Sequence, residues 1–107
     1  MIVALLAAPE AEPALAAACE EDGVPLRCEQ AAGDALPLAR EAARRSPLGL
    51  GIGGDAERLV LVLAASPARS YLEAQAAEAR AFGHAAARVA ARRPLPLVTA
   101  ADQPQPV

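Results

Sequence analysis

Cys19-Glu20-Glu21-Asp22-Gly23-Val24-Pro25-Leu26-Arg27 is the stretch on which the layout of this chain turns. An alanine-rich, helix-favouring segment runs into it, a glycine stops that segment, and β-branched and apolar residues follow. The pattern predicts a helix from about Ala11 to Asp22, with Ala11, Leu15 and Cys19 on one apolar stripe, and a strand from Val24 to Gln30. Pro25 has no N–H, so it belongs at the strand's beginning or on an edge. Glu20, Glu21 and Asp22 crowd the C-terminal end of the helix, where the macrodipole disfavours each exposed acid by about 0.3–1 kcal/mol. Two readings follow: a solvated acidic helix end, or a carboxylate kept there to meet a cation or a basic partner.

Upstream, Ile2 to Ala7 is a short apolar run of the kind that forms a strand buried on both faces. Pro9 breaks it, and Glu10 and Glu12 favour the helix start by their charge. Ala16-Ala17-Ala18-Cys19 loosely matches a lipoprotein cleavage site, but nothing basic precedes the apolar run and Pro9 and Pro13 interrupt it. No run reaches the ~18 apolar residues of a membrane span.

Downstream, Ala31-Ala32-Gly33-Asp34 reads as a turn, with Asp34 a candidate cap for a second helix to about Arg45. Glu41 and Arg45 stand in the favourable i,i+4 order, and Ser46-Pro47 ends the helix. Leu48 to Ile52 and Arg58 to Ala64 read as an antiparallel hairpin about a Gly53-Gly54-Asp55 turn. The glycines from Gly49 to Gly54 superficially suggest a nucleotide loop, but the Lys-Ser/Thr of a P-loop is missing and a strand follows where a helix is needed. After a loop from Ser66 to Ser70, a long helix is expected over Glu73 to Arg92, with Phe82, Ala86 and Val89 as its apolar stripe. Arg80, His84, Arg88 and Arg92 repeat every fourth residue along another flank, either a solvated face or a docking face for an acidic partner. Leu95 to Val98 is expected as a short last strand, and Thr99 to Val107 as a disordered tail.

The expected order, β-α-β-α-β-β-α-β, is that of an α/β fold: residues 1–98 as one small domain, a mixed β-sheet flanked by helices. At 107 residues the chain can bury a single core, and with more than a quarter of it alanine and one Phe, one Tyr and no Trp, that core is poor in large side chains. Such a core favours completion by a partner surface, and the exposed alanine surface favours self-association of the isolated chain. Net charge is −3 and every basic residue is Arg. An acidic chain with almost no aromatics lacks what general nucleic-acid binding needs. Cys19 and Cys28 are too few for a disulfide scaffold and have no zinc-type spacing, which points to the reducing cytosol. No nucleophile with a base, metal cluster or oxyanion device is legible; His84 has no acid–base company, so no catalytic or cofactor-binding residue is assigned.

In this order, several local patterns resemble the small subunit of the diol/glycerol dehydratase reactivases. Glu20 to Arg27 is similar to that family's acidic-triplet-Gly-Ile-Pro-Phe-Arg segment; Ala42-Ala43-Arg44-Arg45-Ser46-Pro47-Leu48, with Gly51-Ile52 and Asp55, is similar to its Ala-Ala-Arg-Ser-Ser-Pro-Leu strand entry. Gly83, Ala86-Ala87-Arg88 and Leu95-Pro96-Leu97 resemble its last helix and strand. The resemblance spans about Ile2 to Val98. It implies a non-enzymatic, chaperone-like subunit, similar in fold to the dehydratase's own medium subunit, whose large partner is an ATPase that carries the ATP or ADP. Together the two release damaged cobalamin from an adenosylcobalamin-dependent dehydratase by subunit exchange. The resemblance also places one carboxylate of the triplet, Glu21, on a divalent cation such as Mg²⁺ at the large-subunit interface, with Glu20, Asp22 and Arg88 as further partner-binding residues. Ala85 stands where relatives carry Asn, the N-terminus is short, and Arg93-Pro94 looks like an insertion. The implied setting is the cytoplasm, with association to a bacterial microcompartment left open. Two other readings stand beside this one: the medium subunit of a cobalamin-dependent dehydratase, and a small nucleic-acid or nucleotide-binding module.

Overall fold

A computed structural model describes residues 1–92 of the chain. Strand β1 (Ile2–Leu6) is buried along its whole length, as its unbroken apolar run requires. A 3-10 turn at Pro9–Ala11 then leads into helix α1 (Glu12–Glu21). Gly23, at φ +71°, closes α1: Val24 N–H donates to Cys19 O at 2.9 Å and Gly23 N–H to Glu20 O at 3.1 Å, the paired reverse bonds of a glycine-terminated helix. Strand β2 (Leu26–Gln30) begins just after Pro25, which therefore removes no ladder bond. Helix α2 (Ala35–Arg45) crosses to strand β3 (Leu50–Gly54), strand β4 (Arg58–Leu63) returns antiparallel, and β5 (Leu72–Gln75) pairs antiparallel with β4. A second 3-10 turn at Ala76–Glu78 leads to helix α3 (Ala79–Arg92).

The five strands are ordered β2-β1-β3-β4-β5, with β1 parallel to both β2 and β3. This is the expected mixed sheet flanked by helices, with two corrections. The expected helix over Glu73 to Arg92 is shorter: its first residues form β5, where Leu59↔Ala74 and Leu61↔Leu72 pairing outweighs the helix propensity of Glu, Ala and Gln. The described fifth strand thus precedes the last helix; the expected strand Leu95 to Val98 and tail from Thr99 lie outside the described residues. The second correction is that Gly53 and Gly54 belong to β3, which runs two residues later than the expected Leu48 to Ile52, and the hairpin turns at Asp55–Glu57.

Alternation divides the core into two layers. Ile2, Ala4, Leu6, Leu50, Ile52, Leu59 and Leu61 face α1 and α3 and meet Leu15, Cys19, Phe82 and Ala86. On the opposite face, Val60 and Val62 pack on Ala35, Ala39 and Ala43 of α2, while Val3 and Leu5 pack on its Leu38 and Ala42. Between those two rows β3 presents only Gly51 and Gly53. A Cβ on Gly51 would overlap the backbone of Ala39, Ala42 and Ala43, and one on Gly53 the backbone of Ala35 and Ala39. The glycine run is therefore a trough for a helix, not a phosphate loop.

Because the obstruction is helix backbone, which cannot move aside as a side-chain tip does, Gly51→Ala and Gly53→Ala are each expected to destabilise the fold by about 3 kcal/mol or more, at or beyond the usual overpacking range. Gly23→Ala, strained in φ but open in space, is expected to cost only about 1 kcal/mol. Urea unfolding midpoints of the three variants check the ranking.

Candidate functional site

The acidic end of α1 does not stand alone in solvent. Helix α3 lies against α1 closely enough that a Cβ on Gly83 would come within 2.8 Å of Ala18 Cβ, and this approach brings the basic flank of α3 to the carboxylates. Arg80 Nη2 donates to Glu21 Oε2. His84 Nδ1 lies 2.9 Å from Asp22 Oδ2 and Nε2 lies 3.4 Å from Glu21 Oε1. An ionised carboxylate only accepts, so Nδ1 carries the proton of the shorter bond. Arg80 and Glu21 are both about half exposed (55% and 51%), whereas the His84 side chain is only 26% exposed.

This network corrects both simple readings of the two charged stretches. The end of α1 is not merely a solvated acidic cluster, and the Arg80–His84 flank is not merely solvated either: each is the other's partner. The cations that the dipole of α1 lacks in its own last turn are supplied by α3. Of the four partner-binding candidates, Glu21 and Asp22 are brought together with Arg80 and His84. Glu20 and Arg88 remain exposed, and among the described residues neither enters an ion pair. Glu20 stands on the rim of a shallow groove of about 360 Å³ over Ala16, Cys19, Val24 and Leu26, between α1 and the start of the edge strand β2.

No group of three or more His, Cys, Asp or Glu among the described residues is arranged to hold a metal. Glu21 has the hard, exposed oxygen that Mg²⁺ favours, but offers a single carboxylate, so any cation there would draw its other oxygens from water or a partner and would compete with Arg80. Both cysteine thiols are held above the ordinary thiol range. Burial, then the Asp22 charge, pushes the Cys19 thiol up, and burial followed by Glu12 and Cys19 raises Cys28 to about 11. Among the described residues, no helix is long and apolar enough to cross a membrane.

A second carboxylate does work that the sequence assigned elsewhere. Asp34 occupies the N-cap position of α2 but its side chain makes no capping bond. Asp55, in the β3–β4 turn, takes that role from across the sheet: its Oδ2 accepts from Ala35 N–H at 3.0 Å, while Oδ1 accepts from Glu57 and Arg58 N–H at 2.9 and 3.0 Å. The bonds from Arg58 and Glu57 lead in holding the Asp55 carboxyl below the ordinary carboxylate range.

The whole described fold can be compared with known proteins. No curated protein matches this chain. Among solved structures, it is similar to a chain of diol dehydratase-reactivating factor complexed with ADP and Mg²⁺, at 26% identity and a TM-score of 0.73, over 87% of this chain and 93% of that one. It is likewise similar to a glycerol dehydratase reactivase chain, at 26% identity and a TM-score of 0.77, over 88% and 94% of the two.

Two outcomes are expected. A Glu21→Ala/Arg80→Ala double-mutant cycle, read by urea unfolding, should give a coupling of about 0.2–1 kcal/mol that shrinks with added salt, since the pair is exposed. Asp55→Ala should cost about 1 kcal/mol near neutral pH as a lost helix cap. Because the folded Asp55 carboxyl lies below its unfolded value, that difference should hold above about pH 4 and shrink as the pH falls through the folded value, as unfolding curves across pH would show.

The turn-borne helix cap, the stapled helix pair and all of the sheet but the first two residues of β1 lie within residues 4–96, the span matched by the family model described as dehydratase medium subunit, and the chain belongs to that family.

Proposed function

We propose that this chain is the non-catalytic small subunit of an ATP-dependent reactivase, which helps a large ATPase subunit release damaged cobalamin from a diol or glycerol dehydratase by subunit exchange. The observation that carries this reading is extent. The chain matches 93% and 94% of two reactivase chains in fold, so the likeness covers nearly all of each neighbour and not a shared fragment. A carboxylate–imidazole–guanidinium network that joins two helices fits an accessory role. In this reading ATP or ADP sits on the large subunit, as does most of any divalent-cation site, with Glu21 as this chain's contribution.

The family description favours one alternative, that the chain serves as the medium subunit of the dehydratase itself. The two differ in partner and in persistence. Subunit exchange requires a chain that leaves its partner; a dehydratase subunit stays through turnover.

Co-expression of the tagged chain with its genomic neighbours, followed by capture with and without Mg²⁺, separates them. The expected result is a large ATPase subunit released when the dehydratase's inactivated complex and ATP are added. Glu21→Ala should weaken capture about ten-fold, the loss of a charge-assisted ligand worth roughly 1.4 kcal/mol, and chelation should do the same to the wild type. Capture of the ATPase without either effect would retain the function and remove Glu21 from the interface. Stoichiometric retention of a catalytic dehydratase subunit through turnover would replace the reading with the alternative.

A further inference from the structure

The sheet ends in two open strands, and one of them is complementary to itself. In the order β2-β1-β3-β4-β5, β2 has a neighbouring strand on one side only among the described residues. Ile2 N–H donates to Pro25 O and Ala31 N–H to Leu6 O, both at 3.0 Å, at the two ends of the β1–β2 ladder. Backbone groups alternate in direction along a strand, so Arg27 and Glu29 turn theirs to β1. The N–H and C=O groups of Leu26, Cys28 and Gln30 point outward, where a further strand can bond to them. Pro25 belongs to the inward set, so its missing N–H leaves the outer edge intact.

The side chains divide the same way. Leu26 and Cys28 pack on the core beneath α1, whereas Arg27 and Glu29 lie on the other face with side chains 65% and 39% exposed. Arg27 Nε lies 3.1 Å from Glu29 Oε2, and Arg45 of α2 reaches Glu29 Oε1 at 3.4 Å. Opposite charges thus stand one residue to either side of Cys28. When two copies of β2 run antiparallel about that residue, Cys28 faces Cys28 and Leu26 faces Gln30. Those are the hydrogen-bonded pairs, and they use the groups that already point outward. Arg27 then faces Glu29 twice over, at the non-bonded pairs where side chains approach most closely. Sliding the copies by two residues, the smallest step that keeps the outward groups matched, sets Arg27 against Arg27 or Glu29 against Glu29. Charges of one sign would guard this edge against its own copy; these select a single register.

Two further features agree. Beside the edge, on the α1 side, the groove over Ala16, Cys19, Val24 and Leu26 offers apolar surface for a second copy to cover. The opposite edge has no such symmetry, because β5 carries one charge, Glu73, which is engaged by Arg58 and Ser70. We propose that a second copy of this chain pairs antiparallel with β2 about Cys28, joining two five-stranded sheets into one across a two-fold axis. Glu29 keeps Arg45 of its own chain while Arg27 turns to the other copy. The inference does not rest on the reactivase reading or on Glu21.

The test is sedimentation velocity of the full chain over a wide range of concentration, with backbone-amide hydrogen exchange measured at both ends of the range. A monomer–dimer equilibrium is expected. Exchange at Leu26, Cys28 and Gln30 should slow as concentration rises, while Arg27 and Glu29, bonded to β1 throughout, stay unchanged. Arg27→Glu and Glu29→Arg, both at exposed side chains, should each weaken the dimer about ten-fold or more, since each sets two like pairs face to face. An equimolar mixture of the two variants restores opposite charges at both pairs and should restore the dimer. A monomer at every concentration would overturn the proposal, as would a dimer that both variants keep or that the mixture fails to restore. Protection of the three outward amides that does not depend on concentration would overturn it too, giving the edge to another segment of the same chain.

Discussion

The seating of α2 on β3 is the contact on which the remaining structure depends. One helix must cover three strands on its face of the sheet, and it does so by sinking between two ridges, Val3 and Leu5 on one side and Val60 and Val62 on the other. The floor of that trough can be made only of residues without a Cβ, and Gly51 and Gly53 supply it. Ala35, Ala39 and Ala43 keep the facing side of the helix equally thin. A core so poor in large side chains thereby becomes dense: what alanine and glycine lose in buried area they recover in backbone proximity, where many weak dispersion contacts act together. Asp55 then ties the start of the same helix to the turn that ends β3, so register of the sheet and position of the helix are fixed by one element.

The other face repeats the device with a different fastening. Gly83 and Ala18 allow α1 and α3 to approach, and charge locks their ends: Arg80 and His84 against Glu21 and Asp22. An apolar seam between small side chains specifies direction weakly, since many registers bury similar area. Paired charges fix which ends of the two helices meet. The contact is exposed and therefore modest in energy.

What was legible in the sequence followed from local physics. The continuous apolar run of β1, the Gly23 stop, the Glu41–Arg45 pair and the Ser46-Pro47 end of α2 are each set by residues within a few positions of one another. Strand β5 was hidden for the complementary reason. Leu72-Glu73-Ala74-Gln75 is built of helix formers and is made a strand by Leu59, Val60 and Leu61, residues brought beside it only by the fold. Gly53 and Gly54 were read by their intrinsic turn preference, whereas their place in β3 answers to a helix and side chains elsewhere in the chain. The two charged stretches were both visible as patterns, but Glu21 and Arg80 lie 59 residues apart, and nothing in either stretch names the other.

A family model over residues 4–96 assigns this chain to its family, and a scaffold does not by itself fix a role, so the chemistry of its two ends matters. Open α/β sheets that take an anion at the switch point, here the carboxyl ends of β1 and β3, do so with free N–H donors or basic side chains. This chain has instead placed prolines and carboxylates at that end and used the first N–H of α2 internally. At the other end its acids are matched by its own bases, apart from Glu20. Such a distribution keeps both ends polar in the isolated chain, with the acids at one end matched by its own bases. Recognition by charge at small, shallow contacts speeds association more than it prolongs it.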